Sequence, residues 1–186
     1  MEQARPLRLR RLQRQRKNNM AEEVKLPIAY SISLYNIIEK LLFVNGGVPA
    51  IDKTTLKERE LPFNLKYKLH RNYDILLKDY SYFELQRANL VKQYGAEEDG
   101  KITVKDENIE KYKQDLLKAI NIEVSHSFIK LTQEEIDKMN FDINISSEEM
   151  NLFISFMVED DTFLKDLQTP IDNVDVAKEV IETDSN

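Results

Sequence analysis

The segment spanning residues 62–94 contains no glycine and constrains the fold more than any other part of the chain. Its large apolar residues recur every seven positions, and they are Leu69, Leu76, Phe83 and Leu90. The positions four residues after these hold Tyr73, Tyr80, Arg87 and Tyr94. The pattern predicts an amphipathic helix of about nine turns with a coiled-coil-like seam, ended by Gly95. A helix of this length needs another apolar surface to pack against.

The nearest candidate partner for the long helix lies just downstream, beyond an acidic turn at Gly100. Asp106 is a suitable N-cap for a second helix, whose apolar residues share one face. These residues are Ile109, Tyr112, Leu116, Leu117 and Ile120. We therefore expect an antiparallel helical hairpin in which residues 107–120 pack back along residues 80–94.

Another helix and a small β element are predicted on either side of this hairpin. Apolar residues recur at helical spacing between residues 27 and 44, with Pro27 near the helix start. Residues 121–131 show the alternation of a strand. We expect this strand to pair with residues 102–104 in a two-stranded element.

Two capping boxes predict two further short helices. Thr132 with Glu135 opens the first, and Ser146 with Glu149 opens the second. The chain of 186 residues has only four glycines and five prolines, too few turn residues for a β-sandwich or barrel. The predicted fold class is mainly α: a long antiparallel helical hairpin plus short helices, with a small two-stranded β element.

Charge is distributed unevenly along the chain, although the whole carries a formal net charge of −6. Seven basic residues near the N-terminus are opposed only by Glu2, and they are Arg5, Arg8, Arg10, Arg11, Arg14, Arg16 and Lys17. Residues 159–186 carry nine acids and two lysines. Such asymmetry indicates interaction surfaces. We divide the chain into a basic arm (1–19), a single helical domain (20–160) and an acidic tail (161–186).

The basic arm has several open interpretations. Residues 5–17 can neutralise nucleic-acid phosphates or contact an acidic partner, and their arginines form no single helical stripe, which favours an arm ordered on binding. An arginine-rich, acid-poor arm also fits a transit peptide, although it lacks serine. Finally, Met20 opens "MAEEVKLPIAY", which reads as an ordinary N-terminus, so the first nineteen residues fit an over-extended gene start.

The chain lacks the residue patterns on which most catalytic and cofactor sites depend. It has no cysteine, which excludes thiolate nucleophiles and zinc–thiolate sites. Of its two histidines, His70 and His126, the second lies in a Ser-His-Ser sequence with no glycine nearby to build an oxyanion hole. The acidic clusters at 97–99 and 159–161 could bind a divalent cation only loosely and fit a solvated surface better, and the segments "DKTTLKERE" and "DINISSEE" lack the glycine of an EF-hand loop. We expect no catalytic residue, no cofactor and no metal site, and hence not an enzyme.

Tyrosines on the long helix are the candidate interface residues, namely Tyr73, Tyr80, Tyr82 and Tyr94. Half-buried tyrosines are typical of protein cores and protein–protein interfaces. Tyrosines interleaved with basic residues can also stack on nucleic-acid bases. We expect a core or interface role, with nucleic-acid binding as the alternative.

Several motifs in the central part of the chain occur in a recognisable order. A long helix ends in "KQYG", the turn and helix "DGKITVKDENIEKY" follow, and "LLKAINIEV" leads into a strand. A final helix, within "NISSEEMNLFISFMVED", is rich in acids and large apolar residues. Over roughly residues 65–160 this pattern resembles small bacteriophage-encoded proteins catalogued only as a domain of unknown function. The resemblance implies a phage origin and assigns no functional residue.

Together these features predict a non-enzymatic phage protein that acts through protein–protein contacts. The leading expectation is a virion structural or assembly accessory, such as an auxiliary capsid or head–tail component, located in the virion or the host cytoplasm. Its expected partners are other virion proteins or itself, and nucleic acid through residues 5–17. The alternative is an early regulator or inhibitor that binds a host protein or nucleic acid. No membrane partner is expected, because the longest apolar run, residues 41–44, is far too short to cross a bilayer.

Overall fold

The computed structural model describes residues 23–44, 56–98, 101–139 and 143–159. Within these residues the protein is mainly helical and has two small two-stranded antiparallel sheets, so the predicted fold class is confirmed. The basic arm (1–19) and the acidic tail (161–186) lie outside the described residues, and the predictions for them stay predictions.

The elements follow one another along the chain with short connections between most of them. They are β1 (Glu23–Pro27), α1 (Ile28–Leu42), α2 (Phe63–Tyr94), β2 (Gly95–Glu98), β3 (Lys101–Val104), α3 (Ile109–Ile120), β4 (Glu123–Ser127), α4 (Gln133–Asp137) and α5 (Ser147–Met157). A 3-10 turn at Asp106–Asn108 leads into α3.

Helix α2 is the predicted long helix, with 32 residues. At a rise of 1.5 Å per residue it is about 48 Å long. We name its buried side the inner face, which consists of Leu65, Leu69, Asn72, Leu76, Asp79 and Phe83. The heptad leucines and Phe83 therefore supply the core contacts that their spacing predicts, and two polar residues lie among them.

Helix α1 is buried around most of its circumference. Twelve of its 15 residues are buried, including the polar Ser31 and Glu39. It packs along α2 and also contacts α3 and α5. A helix that is apolar on nearly all sides belongs at the centre of a domain, and α1 takes that position.

The predicted hairpin of α2 and α3 is confirmed by their packing. Tyr112, Leu116 and Ile120 of α3 join Phe83 in an apolar cluster that also includes residues of α1. The predicted N-cap is wrong, because Asp106 lies inside the 3-10 turn. The residue before α3 is Asn108, whose side-chain amide donates instead to the Tyr94 carbonyl at 3.1 Å.

The predicted strand pairing is also wrong. Strand β4 pairs with β1, with Val24 opposite His126, and β3 pairs with its neighbour β2. A local β2–β3 hairpin closes a much shorter loop than a pairing between β3 and β4 through α3 would need. Strand β1 runs directly into α1, so the burial of that helix brings β1 beside β4.

Gly95 ends α2 in an extended conformation, with φ −87°, so its role is not that of a left-handed cap. A Cβ atom at this position would lie 2.4 Å from the carbonyl oxygen of Val91 and 2.6 Å from Cγ2 of Ile102. Only a glycine therefore lets the β2–β3 hairpin lie this close to the end of the helix.

Both predicted capping boxes are present and position the C-terminal part of the described chain. Thr132 caps α4 with Glu135, and Ser146 caps α5 with Glu149. Glu149 also accepts a hydrogen bond from Lys40 Nζ at 2.6 Å, which ties the start of α5 to α1. At the other end of α5, Leu131 and Val158 form a parallel bridge.

Asn72, on the inner face of α2, clamps the chain that follows β4. Its side-chain amide donates to the Ile129 carbonyl at 2.9 Å, and its oxygen accepts from the Ile129 N–H at 2.8 Å. The Asn72 side chain is fully buried. It satisfies the N–H and the carbonyl of Ile129, which lies beyond the end of β4 and has no strand partner.

We predict that Asn72→Ala lowers the free energy of unfolding by roughly 2–4 kcal/mol, because both Ile129 groups lose their partner. The control is Asn89→Ala on the exposed side of the same helix, which should change it by less than about 0.5 kcal/mol. Urea denaturation of the two variants measures the difference. Equal stabilities would show that the clamp contributes nothing.

Candidate functional site

The side of α2 opposite the inner face is exposed to solvent along its whole length. We name it the outer face, and it consists of Phe63, Tyr67, Arg71, Asp74, Lys78, Ser81, Leu85 and Asn89. Its large apolar side chains are unusually accessible, with Phe63 82%, Tyr67 55% and Leu85 58% exposed. Leu77 and Tyr82 lie exposed at its edges. Large exposed apolar side chains on one rigid element are typical of a contact surface.

Charged residues lie between the apolar ones on the outer face. Asp74 and Lys78 are one helical turn apart, and among the described residues neither takes part in a hydrogen bond or an ion pair. Some exposed charges elsewhere are paired, as Lys138 is with Glu134 at 2.7 Å, whereas Arg71 on the outer face has no ion pair within the described residues. The outer face therefore offers an acceptor and a donor to a partner.

Two of the predicted interface tyrosines, Tyr73 and Tyr80, point toward α1 and not away from the molecule. Their rings stack on the two sides of buried Tyr35, with centroids 4.8 Å and 4.4 Å from it. Both are half-buried and pack against the core. Their role within the described residues is to join α2 to α1.

The hydroxyls of this aromatic stack meet a buried carboxylate. Tyr35 and Tyr73 each donate to Oε1 of Glu39 at 3.1 Å, and their own oxygens lie 2.7 Å apart. Burial, together with the negative charge of Glu39, raises the pKa of Tyr73 to about 12. Burial likewise raises the pKa values of Tyr35 and Tyr80 above the ordinary tyrosine value.

The other two predicted tyrosines lie elsewhere on α2. Tyr94 donates to Oδ2 of Asp115 at 2.5 Å and so joins the end of α2 to α3. Hydrogen bonds from Lys118 and then from Tyr94 hold the pKa of Asp115 below its usual value. Tyr82 is 37% exposed and is the one predicted tyrosine that lies at the edge of the outer face.

A Ser-His-Asp set occurs in the core, but it involves residues that are far apart in sequence. Nε2 of His126 lies 3.1 Å from the Ser31 hydroxyl and 3.1 Å from Oδ2 of Asp79. In a catalytic triad the acid and the serine contact opposite ring nitrogens. Here both contact the same nitrogen, and all three residues are buried, so the set joins β4 to α1 and α2.

The second histidine is on the surface. His70 lies 3.2 Å from Glu58, whose pKa is lowered mainly by a hydrogen bond from Lys66. Within the described residues there is no group of three or more acids or histidines that could hold a metal ion. None of the described helices has the length and apolar character needed to cross a membrane.

Two open clefts lie near the N-terminal end of α2, with volumes of about 380 Å³ and 440 Å³. The first is lined by residues of the α2 start and of α4, including Glu134, Glu135 and Lys138. Lys68 donates to Glu135 at 2.7 Å. Burial raises the pKa of Glu135, but the hydrogen bonds from Lys68 and from the Thr132 N–H outweigh burial and lower this pKa. The charges around this cleft therefore already bind one another.

The seven basic residues predicted to contact nucleic acid or an acidic partner lie outside the described residues. The inner polar residues Ser31, Glu39, Asn72 and Asp79 were not predicted. One weak signal existed for Glu39, since it follows Tyr35 by one turn in a mostly apolar helix. Asn72 and Asp79 are seven residues apart on the inner face of α2. In the sequence they interrupt the apolar pattern of this face, and nothing nearby indicates that they are buried.

No protein-family model, no curated protein sequence and no solved structure matches this chain. The resemblance to phage proteins of unknown function therefore stays a prediction.

The pKa of Tyr73 gives a test of the buried tyrosine–glutamate cluster. Below pH 10 the phenol is neutral in both the folded and the unfolded chain, and its hydrogen bonds stabilise the fold in full. Between pH 10 and about 12 the Tyr73 phenol ionises in the unfolded chain before it ionises in the folded one. The unfolded state is then favoured, so the stabilisation from Tyr73 is lost over this range. Tyr73→Phe should therefore cost roughly 1–2 kcal/mol at neutral pH and progressively less as the pH approaches 12.

The control for this titration is Tyr67→Phe, because Tyr67 is on the outer face and makes no such contact. Chemical denaturation from pH 8 to pH 12 measures both variants against the parent protein. A stability difference for Tyr73→Phe that does not change with pH would contradict the cluster.

Proposed function

We propose that the protein is a non-enzymatic phage protein that acts through protein–protein contacts, as a structural or assembly accessory of the virion. An auxiliary capsid or head–tail component is the leading form of this proposal. The observation that carries it is the outer face of α2, where large apolar side chains are exposed on a rigid 32-residue helix. A partner that covers these side chains would remove apolar surface from water, which favours association.

The placement of the polar groups supports a contact role over catalysis. The Ser31–His126–Asp79 set is buried in the core, and the Glu39 cluster is enclosed by stacked tyrosine rings. A general base must come within hydrogen-bond reach of its substrate, which these groups cannot do while the fold is intact. Their contacts instead fix the relative positions of α1, α2 and β4.

The charge distribution in the sequence supports an assembly role. Residues 1–17 carry seven basic side chains against one acid, and residues 159–186 carry nine acids against two lysines. In an assembly, the basic arm would contact packaged nucleic acid or an acidic neighbour. The acidic tail would contact a basic patch on the next subunit, since complementary charges orient partners and speed their encounter.

An early regulator or inhibitor of a host protein is the second candidate function. The acidic residues 159–186, which are interspersed with large apolar side chains, favour it, because such a segment can imitate nucleic acid or another acidic ligand. The two functions differ in location: an assembly accessory resides in the virion, whereas a regulator stays in the host cytoplasm.

Mass spectrometry of purified particles of the encoding phage tests the proposed function. We expect the protein to be a stoichiometric component, and its absence would overturn the virion assignment. Recovery only with a host protein, early in infection, would favour the regulator.

The contribution of the outer face to incorporation can be tested with a matched pair of variants. Leu85→Glu replaces one of the large apolar side chains of the outer face with a charge, whereas Ile122→Glu places one at an exposed position outside α2. Because a charge disrupts an apolar contact, we expect Leu85→Glu to reduce incorporation by roughly tenfold. Ile122→Glu should leave it unchanged, and equal incorporation of the two variants would contradict the role of this face.

A further inference from the structure

The positions of the outer face are spaced symmetrically along α2, as helical periodicity requires, so the residues that occupy them decide which pairing is favourable. Tyr67 and Leu85 are 18 residues apart, which is five full turns of a 3.6-residue helix, so they point in the same direction. Residue 76 is the midpoint between them. Three more pairs of outer-face residues are equally spaced about this midpoint, and they are Asp74 with Lys78, Arg71 with Ser81, and Phe63 with Asn89.

We propose that the outer face binds the same face of a second copy of this chain, with the two α2 helices antiparallel about residue 76. In this arrangement Tyr67 of one copy lies opposite Leu85 of the other, on both sides of the two-fold axis. Asp74 of each copy lies opposite Lys78 of the other. Such an isologous contact uses one patch twice, as the two-fold symmetry of a dimer requires.

Charge selects the antiparallel orientation over the parallel one. In a parallel, in-register pair each residue would face its own copy, so Asp74 would meet Asp74 and Lys78 would meet Lys78. In the antiparallel pair both contacts are between opposite charges. Flanking charges of this kind set orientation in helical pairs, and the two residues are free of other partners within the described chain.

The size of the surface indicates a dimer that depends on concentration. A strip about 39 Å long, from Phe63 to Asn89, and about 10 Å wide is smaller than the roughly 800 Å² per partner of a stable complex. A second copy is nevertheless a suitable occupant, because the antiparallel arrangement places Asp74 of each copy opposite Lys78 of the other, while Arg71 lies opposite the neutral Ser81. The local concentration within an assembly would favour the contact further.

This inference rests on the proposed role of the outer face as a contact surface, but the dimer and the proposed function can be disproved independently. Self-association is measured on the isolated protein, whereas the proposed function is measured on phage particles. Presence in particles together with a strictly monomeric protein would overturn the dimer and leave the function standing.

Sedimentation equilibrium of the full chain over a wide concentration range, with two charge reversals, tests the proposal. Asp74→Lys places lysine opposite Lys78 at both symmetry-related contacts, and Lys78→Asp places aspartate opposite Asp74. Each variant alone should dimerise roughly tenfold more weakly than the parent protein. An equimolar mixture of the two should recover a heterodimer, because both contacts then join opposite charges.

Glu107→Lys and Lys111→Glu are the matched controls, since these exposed residues have the same four-residue spacing but lie outside α2. They should leave dimerisation unchanged, and circular dichroism verifies that every variant is folded. The effect of the α2 variants should shrink in high salt, where exposed charges are screened. A monomeric parent protein at all concentrations, or a mixture no more associated than either variant alone, would overturn the proposal.

Discussion

The burial of α1 is the constraint on which the rest of the structure depends. With twelve of 15 residues buried, this helix is stable only when other elements cover it on nearly every side. The inner face of α2 covers one side, and α3 and α5 cover others. Its buried polar residues must also find partners, because an unpaired buried polar group costs about 1–3 kcal/mol. Ser31 contacts His126, and Glu39 accepts from two tyrosines.

These requirements leave the two sides of α2 with different roles. Its inner face, the Tyr73–Tyr80 stack and the Asn72 clamp hold α1 and the segment after β4 in place. On its other side, Phe63, Tyr67 and Leu85 are more than half exposed within the part of the chain that the structure describes. The Glu39 cluster and the Asn72 clamp are thus explained by the fold, although Oδ2 of Asp79 makes no hydrogen bond within the described residues. The exposed face is the surface at which we propose a partner.

Most local features of this fold, and the packing of α3 on the neighbouring α2, could be predicted from the sequence, whereas the N-cap of α3 and the strand pairing could not. Heptad spacing predicted α2, and both capping boxes predicted helix starts, because these signals lie within a few residues of each other. The partner of β4 depends on where the burial of α1 places β1, which no local pattern encodes. Asn72 and Asp79 were missed for a related reason: their partners are more than forty residues away.

The proposed division of α2 into a structural and an associating face can be tested most directly by cross-linking. The chain has no cysteine, so single thiols can be introduced as Tyr67→Cys and Leu85→Cys. A short bis-maleimide should link the two variants when they are mixed. It should link neither variant to itself, because equivalent thiols would be about 27 Å apart in the antiparallel pair. Self-linking of either variant, or no linking in the mixture, would contradict this arrangement.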